Sequence, residues 1–552
     1  MMLLHFTQSV IASNSVVQAL ADAETFSSMR SRVRICSVGI RSGRLRCSTF
    51  SHCGSVRQHP RTSFFDNHQK DARAGRKAVQ KDEFFWISEI NKATVVVNSS
   101  RGLIDDHIAR LAAGGIAAVE KAADLDAAKR VKKYIAYEPM LIAETGPEVT
   151  IIHAGRSSQD ILSTMRIAMM RDAAIDFARA FDKVLDKLFE LAQKNRNTIV
   201  PNYTNGVAAQ PNSYAHYLLG FAAALLRERE RLNQCLVRFN KCPMGATVLN
   251  GTVWPLDRQG MSDALGFDEP LRNAFDCTCE APVDFPLELA SIAGSTAVHV
   301  GSFICDIMVQ YAQPRPWIML EEGGENTYVS SAMPQKRNPG LMNNCRADAS
   351  DVLGEMNAVF IRAHNLVPGM VDGKSTDKNG RMMKKATAML ERFLKVLCGI
   401  KVNADRALEE LNSDWTASQE IADRLMRDHG LPFRIGHHMA SRMVSWARAN
   451  NVLPLDFPYA EMQRIYKEEI EAEFPSASSV LPMSESEFRD ALDPRKIVAN
   501  RRTTGSAAPA EVDAMLAEDR ETAERLKSTV DAMAAKTDAA LEALEARFAA
   551  FL

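Results

Sequence analysis

One run of ten residues concentrates the reactive side chains of this sequence: Ser330-Ser331-Ala332-Met333-Pro334-Gln335-Lys336-Arg337-Asn338-Pro339. Two hydroxyls stand side by side, Met333-Pro334 stiffens a turn, and Lys336 and Asn338 follow at alternate positions. Upstream, Gly323-Gly324 gives the backbone freedom. A loop that sets a hydroxyl beside a cation and an amide donor can close over an anionic substrate and exclude water. Serine is a poor base unless its alkoxide is stabilised. A lysine ammonium, peptide N–H groups and water exclusion each contribute to that. The same residue types suit a polar surface loop whose Lys and Arg are simply solvated, and residue types alone leave both readings open.

Two earlier segments add neutral donors. Ser157, Ser158, Gln159 and Thr204 are each worth ~1–3 kcal/mol to a buried, matched carboxylate. Ser157 and Thr204 equally suit helix caps, and a helix N-terminus also binds carboxylates. His153 reads as a structural histidine, and Cys345 and His364 read as packing residues.

Rigid elements must position these loops, and the sequence points to helices. The stretch 163–192 runs without Pro or Gly, with Met165, Ile167, Ala168, Ile175, Phe177, Ala178, Phe181, Val184, Leu185 and Leu188 at near-helical spacing. Residues 103–111, 213–239, 287–310 and 520–552 also read as helices, while alternating strand-like runs are nearly absent. Long helices in an ordinary globular chain predict a bundle. Gly and Pro punctuate it at 154–158, 201–206, 243–251, 321–339 and 368–373, where loops carry chemistry on a rigid scaffold.

With 552 residues the chain is long enough for two to four domains. A formal net charge of -1 gives no reason to expect a nucleic-acid partner. No unbroken apolar run nears the ~18 residues that predict a membrane span. The ten cysteines are scattered, and Cys277 and Cys279 are too close for a CxxC pair; reduced thiols in a cytoplasmic protein are expected. The first 80 residues differ: 25–65 contain no Asp or Glu while Arg and Ser accumulate. That composition suits a transit peptide. A disordered leader, or sequence upstream of the true start, fits better because no clean amphipathic helix precedes the arginines.

The run from Ser330 to Pro339 resembles the signature loop of the fumarase/aspartase/argininosuccinate lyase superfamily, and its Met-Pro-Gln-Lys-x-Asn-Pro form is similar to the argininosuccinate lyase branch. His153-Ala154-Gly155-Arg156-Ser157-Ser158-Gln159-Asp160 and the segment from Pro201 to Pro211 resemble two further motifs of that branch, in the same order. Weaker similarity touches Asp257-Arg258, Pro432-Phe433-Arg434 and 503–506, so the likeness covers about 82–518.

The resemblance implies an all-α, three-domain lyase: an N-terminal extension (1–80), an N-terminal helical domain (81–156), a central bundle (157–400) and a C-terminal helical domain (401–552). It implies a homotetramer with a 20-helix core, each active site shared between subunits, a small dicarboxylate or N-substituted aspartate as substrate, and no metal, cofactor, nucleic acid or membrane. By that resemblance Ser330 is the base and Lys336 and Asn338 hold the carboxylate. Thr204 and Asn205 join the catalytic set, and Ser157, Ser158, Gln159, Gln210, Ser331 and Met333 line the substrate. The reaction implied is β-elimination of an amine to give fumarate, as in arginine biosynthesis.

Departures from the pattern fall where substrate is read. Val329 replaces a glycine, Asn205 replaces a histidine, and Ser158-Gln159 replaces an Arg-Asn pair. The region 368–374 lacks the branch's Tyr and Gln. Asparagine does not titrate, so a leaving-group proton must come from elsewhere. An N-substituted aspartate other than argininosuccinate fits these changes. The alternatives are a carboxymuconate-type cycloisomerase and a non-catalytic, crystallin-like relative.

Overall fold

Where the sequence runs long without Pro or Gly, the chain is helical. The computed structural model describes residues 80–552, so the expected N-terminal extension lies outside the described residues. The principal helices are α1 (Glu83–Ser100), α2 (Asp106–Leu125), α3 (Tyr134–Thr145), α4 (Ser158–Lys194), α5 (Tyr214–Phe239), α6 (Ala281–Tyr311), α7 (Gly340–Ala363), α8 (Thr376–Gly399) and α9 (Pro509–Phe548). Other elements are given by residue range. Side-chain caps set several starts: Asp82 and Asp105 accept from Phe85 and Ile108 N–H, and Ser213 from His216 N–H, each satisfying a donor the helix leaves free.

Helices α4 to α8 form the bundle, with α5 between α4 and α6, and α8 against α4, α6 and α7. Helix α9 closes it across α1, α4 and α5. The buried stripe of α4 includes Phe177, Phe181, Leu185 and Leu188. On α6, Phe303 meets Phe221 and Phe393 edge-on, at 5.0 and 5.2 Å between centroids. Such pairs add about 0.5–1.5 kcal/mol beyond area burial. A second core lies between Trp415 and Ile497. Phe457 sits at its centre, edge-on to Trp415 and Trp446 at 5.5 and 5.2 Å.

The fold is all-α, as expected. Strand content among the described residues is four two-stranded sheets. Two matter for the site: β1 (Ile199–Thr204) with β2 (Val207–Ser213), and β3 (Tyr328–Val329) with β4 (Arg337–Asn338).

One expectation is qualified and one is corrected. Helix α6 is long and apolar enough for a membrane span by length and composition, with mean hydropathy 1.5 over its best window. The unbroken-run criterion misses it because small and polar residues interrupt the run. Half of that window is buried against the bundle, and Val298 and Val309 face outward. Cys345 is buried as expected, but His364 is exposed at the end of α7 and does not serve as packing.

Candidate active site

The three polar segments occupy three places, each built differently. At the start of α4, Ser157 is the N-cap: its Oγ accepts from Gln159 N–H at 3.1 Å, while Asp160 Oδ1 accepts from Ser157 N–H at 2.7 Å. This reciprocal cap places Ser157, Ser158 and Gln159 at the positive end of a 37-residue helix. Asp160 is fully buried, and its other oxygen accepts from Gly245 and Thr247 N–H at 3.1 and 3.3 Å. Burial raises its pKa, while the Ser157 and Thr247 N–H bonds oppose the rise.

Arg156 fixes the approach to α4 from inside. It donates to Asn91 and Thr94 of α1 at 3.0 and 2.9 Å and to the Tyr134 hydroxyl at 3.0 Å. His153 stacks on Tyr134, and burial followed by the Arg156 charge lowers its pKa, consistent with a structural role. Gly155 has φ +65, and a Cβ there would meet Leu256 at 2.8 Å, so the turn needs glycine.

The second segment is the β1–β2 hairpin. Thr204 pairs with Val207, leaving Asn205-Gly206 as a two-residue turn with φ 52 and 76. Positive φ at both positions is the type I′ turn that Asn-Gly favours. Thr204 and Asn205 stand exposed at its tip. Thr204 therefore ends a strand and caps no helix. Gln210 lies on β2 and donates to Gln419 at 2.6 Å.

The third segment closes on β3 and β4, with Val329 opposite Arg337 and residues 330–336 forming the tip. Ser330 Oγ accepts from Ala332 and Met333 N–H at 3.4 and 3.2 Å. Two peptide dipoles thus point at the oxygen that must bear negative charge if it takes a proton. Asn338 Nδ2 donates to the Tyr328 carbonyl at 3.2 Å, and Arg337 pairs with Glu322 at 3.0 Å. Lys336 is exposed and has no ion pair among the described residues; Ser331 and Met333 are exposed beside it.

The structure therefore brings Ser330, Ser331, Met333, Lys336 and Asn338 together on one hairpin, Thr204, Asn205 and Gln210 on another, and Ser157, Ser158 and Gln159 on one helix start. Among the described residues no hydrogen bond or ion pair joins one set to another. The sequence marks the break at 243–251 as a loop that could carry chemistry, but not its tie to the first set. There Thr247 and Val248 hold φ 47 and 71, strained for β-branched residues. Thr247 Oγ1 donates to the Gly155 carbonyl at 2.6 Å. No local signal gives that away, because Thr-Val reads as extended chain.

Comparison with known proteins matches this architecture. The family model described as "Lyase" covers residues 92–354, and the model "Argininosuccinate lyase C-terminal" covers 415–499. An argininosuccinate lyase of Geobacillus sp. (strain WCH70) is 30% identical over 377 residues, which is 68% of this chain and 78% of that protein. Among solved structures, EDDS lyase in complex with formate superposes with TM-score 0.76 at 21% identity, covering 85% of this chain and 92% of its own. The 3-carboxy-cis,cis-muconate lactonizing enzyme of Pseudomonas putida gives 0.60 at 18%, covering 80% and 95%.

Proposed function

This chain belongs to the argininosuccinate lyase branch of the fumarase/aspartase superfamily and is a carbon–nitrogen lyase, and from that premise we propose that it eliminates an amine from an N-substituted aspartate to release fumarate. The observation that carries the proposal is the β3–β4 hairpin, where two N–H groups converge on Ser330 Oγ and Lys336 and Asn338 follow on the same hairpin. Ser330 takes the proton from the carbon beside a substrate carboxylate. The resulting aci-carboxylate carries a second negative charge that exists only along the reaction path, so groups that meet it there accelerate the step. Lys336 and Asn338 supply that positive charge and N–H donation. The electron pair then expels nitrogen as the C–N bond breaks. Ser157, Ser158, Gln159, Thr204, Gln210, Ser331 and Met333 hold the substrate.

Asn205 donates and accepts hydrogen bonds but releases no proton at neutral pH, so the departing nitrogen is protonated by another group or by water. With Ser158-Gln159 in place of a charged clamp, the amine half is one that needs no arginine from this position. We take the working enzyme to be a homotetramer whose sites each draw their three segments from different subunits. That no bond joins the segments among the described residues, and the outward apolar half of α6, both favour this.

An ultraviolet absorbance assay for fumarate, run across a panel of N-substituted aspartates that includes argininosuccinate, tests the proposal. Fumarate from a panel member other than argininosuccinate is the expected result. Fumarate from argininosuccinate keeps the elimination and overturns the reading of Asn205 and Ser158. No fumarate from any member sinks the elimination and moves weight to ring closure of a muconate or to a non-catalytic role.

A further inference from the structure

At the root of the β1–β2 hairpin, away from its tip, lies a cavity of about 160 Å³ between the hairpin, α6 and the strand Ile318–Leu320. Its walls include Asn202, Tyr203, Tyr217, Asp306, Gln310 and Trp317. A void of this size holds about five waters, or an organic group as large as benzene. Its wall mixes apolar and aromatic surface with the polar groups of Asn202, Asp306 and Gln310, so it does not stay dry.

The polar inventory of the wall is uneven. Tyr217 Oη donates to Asp306 Oδ2 at 2.6 Å, and Trp317 Nε1 donates to Tyr203 Oη at 3.1 Å. Burial pushes the Tyr203 phenol up to about 12, and burial together with the Asp306 charge raises that of Tyr217, so both keep their protons. Gln310 is 3% exposed, yet both its Nε2 and Oε1 lack a partner. Buried amides are almost always satisfied. One turn earlier on the same face of α6, the half-buried Asp306 receives the Tyr217 bond on Oδ2. The unfilled buried set is therefore the two N–H groups of Gln310 Nε2 and the acceptor Gln310 Oε1, with the half-buried Asp306 carboxylate beside it as a further acceptor.

We propose that this cavity is a small-molecule site for a ureido or primary-amide group, whose carbonyl accepts from Gln310 Nε2 and whose N–H groups donate to Gln310 Oε1 and the Asp306 carboxylate. A guanidinium fits less well: it suits Asp306 but has no acceptor for Nε2. The aromatic walls cover the apolar edges of such a group. Asn202 and Tyr203 belong both to this wall and to the strand that ends at Thr204, so occupancy bears on the hairpin as well. The inference stands whether or not the elimination proposed above is correct.

Isothermal titration calorimetry of the full chain with N-methylurea and, separately, N-methylguanidinium decides the matter. For so small a ligand a dissociation constant on the order of 1 mM is expected for methylurea, with methylguanidinium at least about tenfold weaker. Gln310→Leu should remove the methylurea heat and melt at or above the wild-type temperature, since it deletes an unsatisfied buried amide. Gln310→Glu has no donor and should reverse the preference toward methylguanidinium. Absence of saturable heat from methylurea up to about 50 mM, well above a millimolar site, would overturn the proposal and leave a water-filled void. Unchanged methylurea binding in Gln310→Leu, or tighter binding of methylguanidinium by the wild type, would overturn it too. Should Gln310→Glu not fold, the wild-type ratio and Gln310→Leu still decide.

Discussion

The start of α4 and the β3–β4 hairpin are both signature segments, and the molecule holds them in opposite ways. At α4 the signature side chains turn inward: Arg156 and Asp160 are buried and bonded to α1, Tyr134 and the loop after residue 243. On the hairpin they turn outward, and Ser331, Met333 and Lys336 are exposed. Local bonds give it form, among them the two onto Ser330 Oγ and the Arg337–Glu322 pair. The difference separates two kinds of constraint. Arg156 and Asp160 fix a backbone, and a change at either is expected to be felt as stability. In the proposed reaction the hairpin residues set a charge distribution, and a change there is expected to be felt as rate.

The largest effect expected tests the outward half. Ser330→Ala should reduce turnover by about 100- to 1000-fold or more while leaving the melting temperature near that of the wild type, because Ser330 Oγ accepts only two long local bonds. Steady-state fumarate release and thermal melting are read on the same preparation. Near-normal turnover would remove Ser330 from the chemistry and collapse the contrast.

Arg156→Leu tests the inward half. It strips partners from Asn91, Thr94 and Tyr134 in the interior, which should cost about 3 kcal/mol, seen as a lower urea midpoint with an unchanged slope. Protein that remains folded should keep most of its rate. A loss of rate as large as that of Ser330→Ala, with unaltered stability, would place Arg156 at the substrate instead.

A third measurement sharpens the inward half through pH. On α1, next to the Arg156 network, Lys92 meets Glu89, Glu120 and Glu545 at 3.2, 3.0 and 2.8 Å. Burial pushes Glu89 up to about 7 from 4.5, with Lys92 opposing. A carboxyl whose folded pKa lies above its unfolded value binds its proton more tightly when folded. Stability from this group is therefore full below about 4.5 and declines until pH passes about 7. Glu89→Gln should flatten that decline and add about 1–3 kcal/mol above pH 7. Urea unfolding at pH 5 and 8 reads it, and an equal change at both would exclude this carboxyl as the source.

The sequence makes these two halves legible to different degrees. The spacing along α4, α5 and α6 predicts helices because their buried stripes are long, and Gly and Pro mark every loop that matters. The side on which a polar residue falls is harder to read. Arg156 and Ser157 are neighbours in one motif, yet one is interior and the other caps a helix. Thr247 and Val248 adopt left-handed backbone that β-branched residues seldom take, so only tertiary bonds reveal them. The outward half of α6 is equally hidden, since apolar composition does not say what covers a helix. The β1–β2 hairpin was readable but subtle: Asn205-Gly206 is a strong turn signal, while Pro201 and Pro211 break the alternation that marks strands.

Asn205 is where the two kinds of constraint meet, and it gives the smallest expected effect. Its φ of 52 is a backbone demand that Asn or Gly meets readily. Its exposed amide takes the place of the histidine that the family resemblance would put here. Asn205→Gly keeps the turn and deletes the amide, so stability should change by less than about 0.5 kcal/mol. If the residue is there for its backbone, fumarate release should fall less than about threefold, well short of the loss expected for a catalytic donor. A fall of 100-fold with the melting temperature intact would instead make the amide a donor to substrate, and Asn205 would join Ser330 among residues that act through charge. Asn205→Val separates the two from the other side: a β-branched residue strains this turn by about 1–2 kcal/mol, and its melting temperature should drop whatever the amide does.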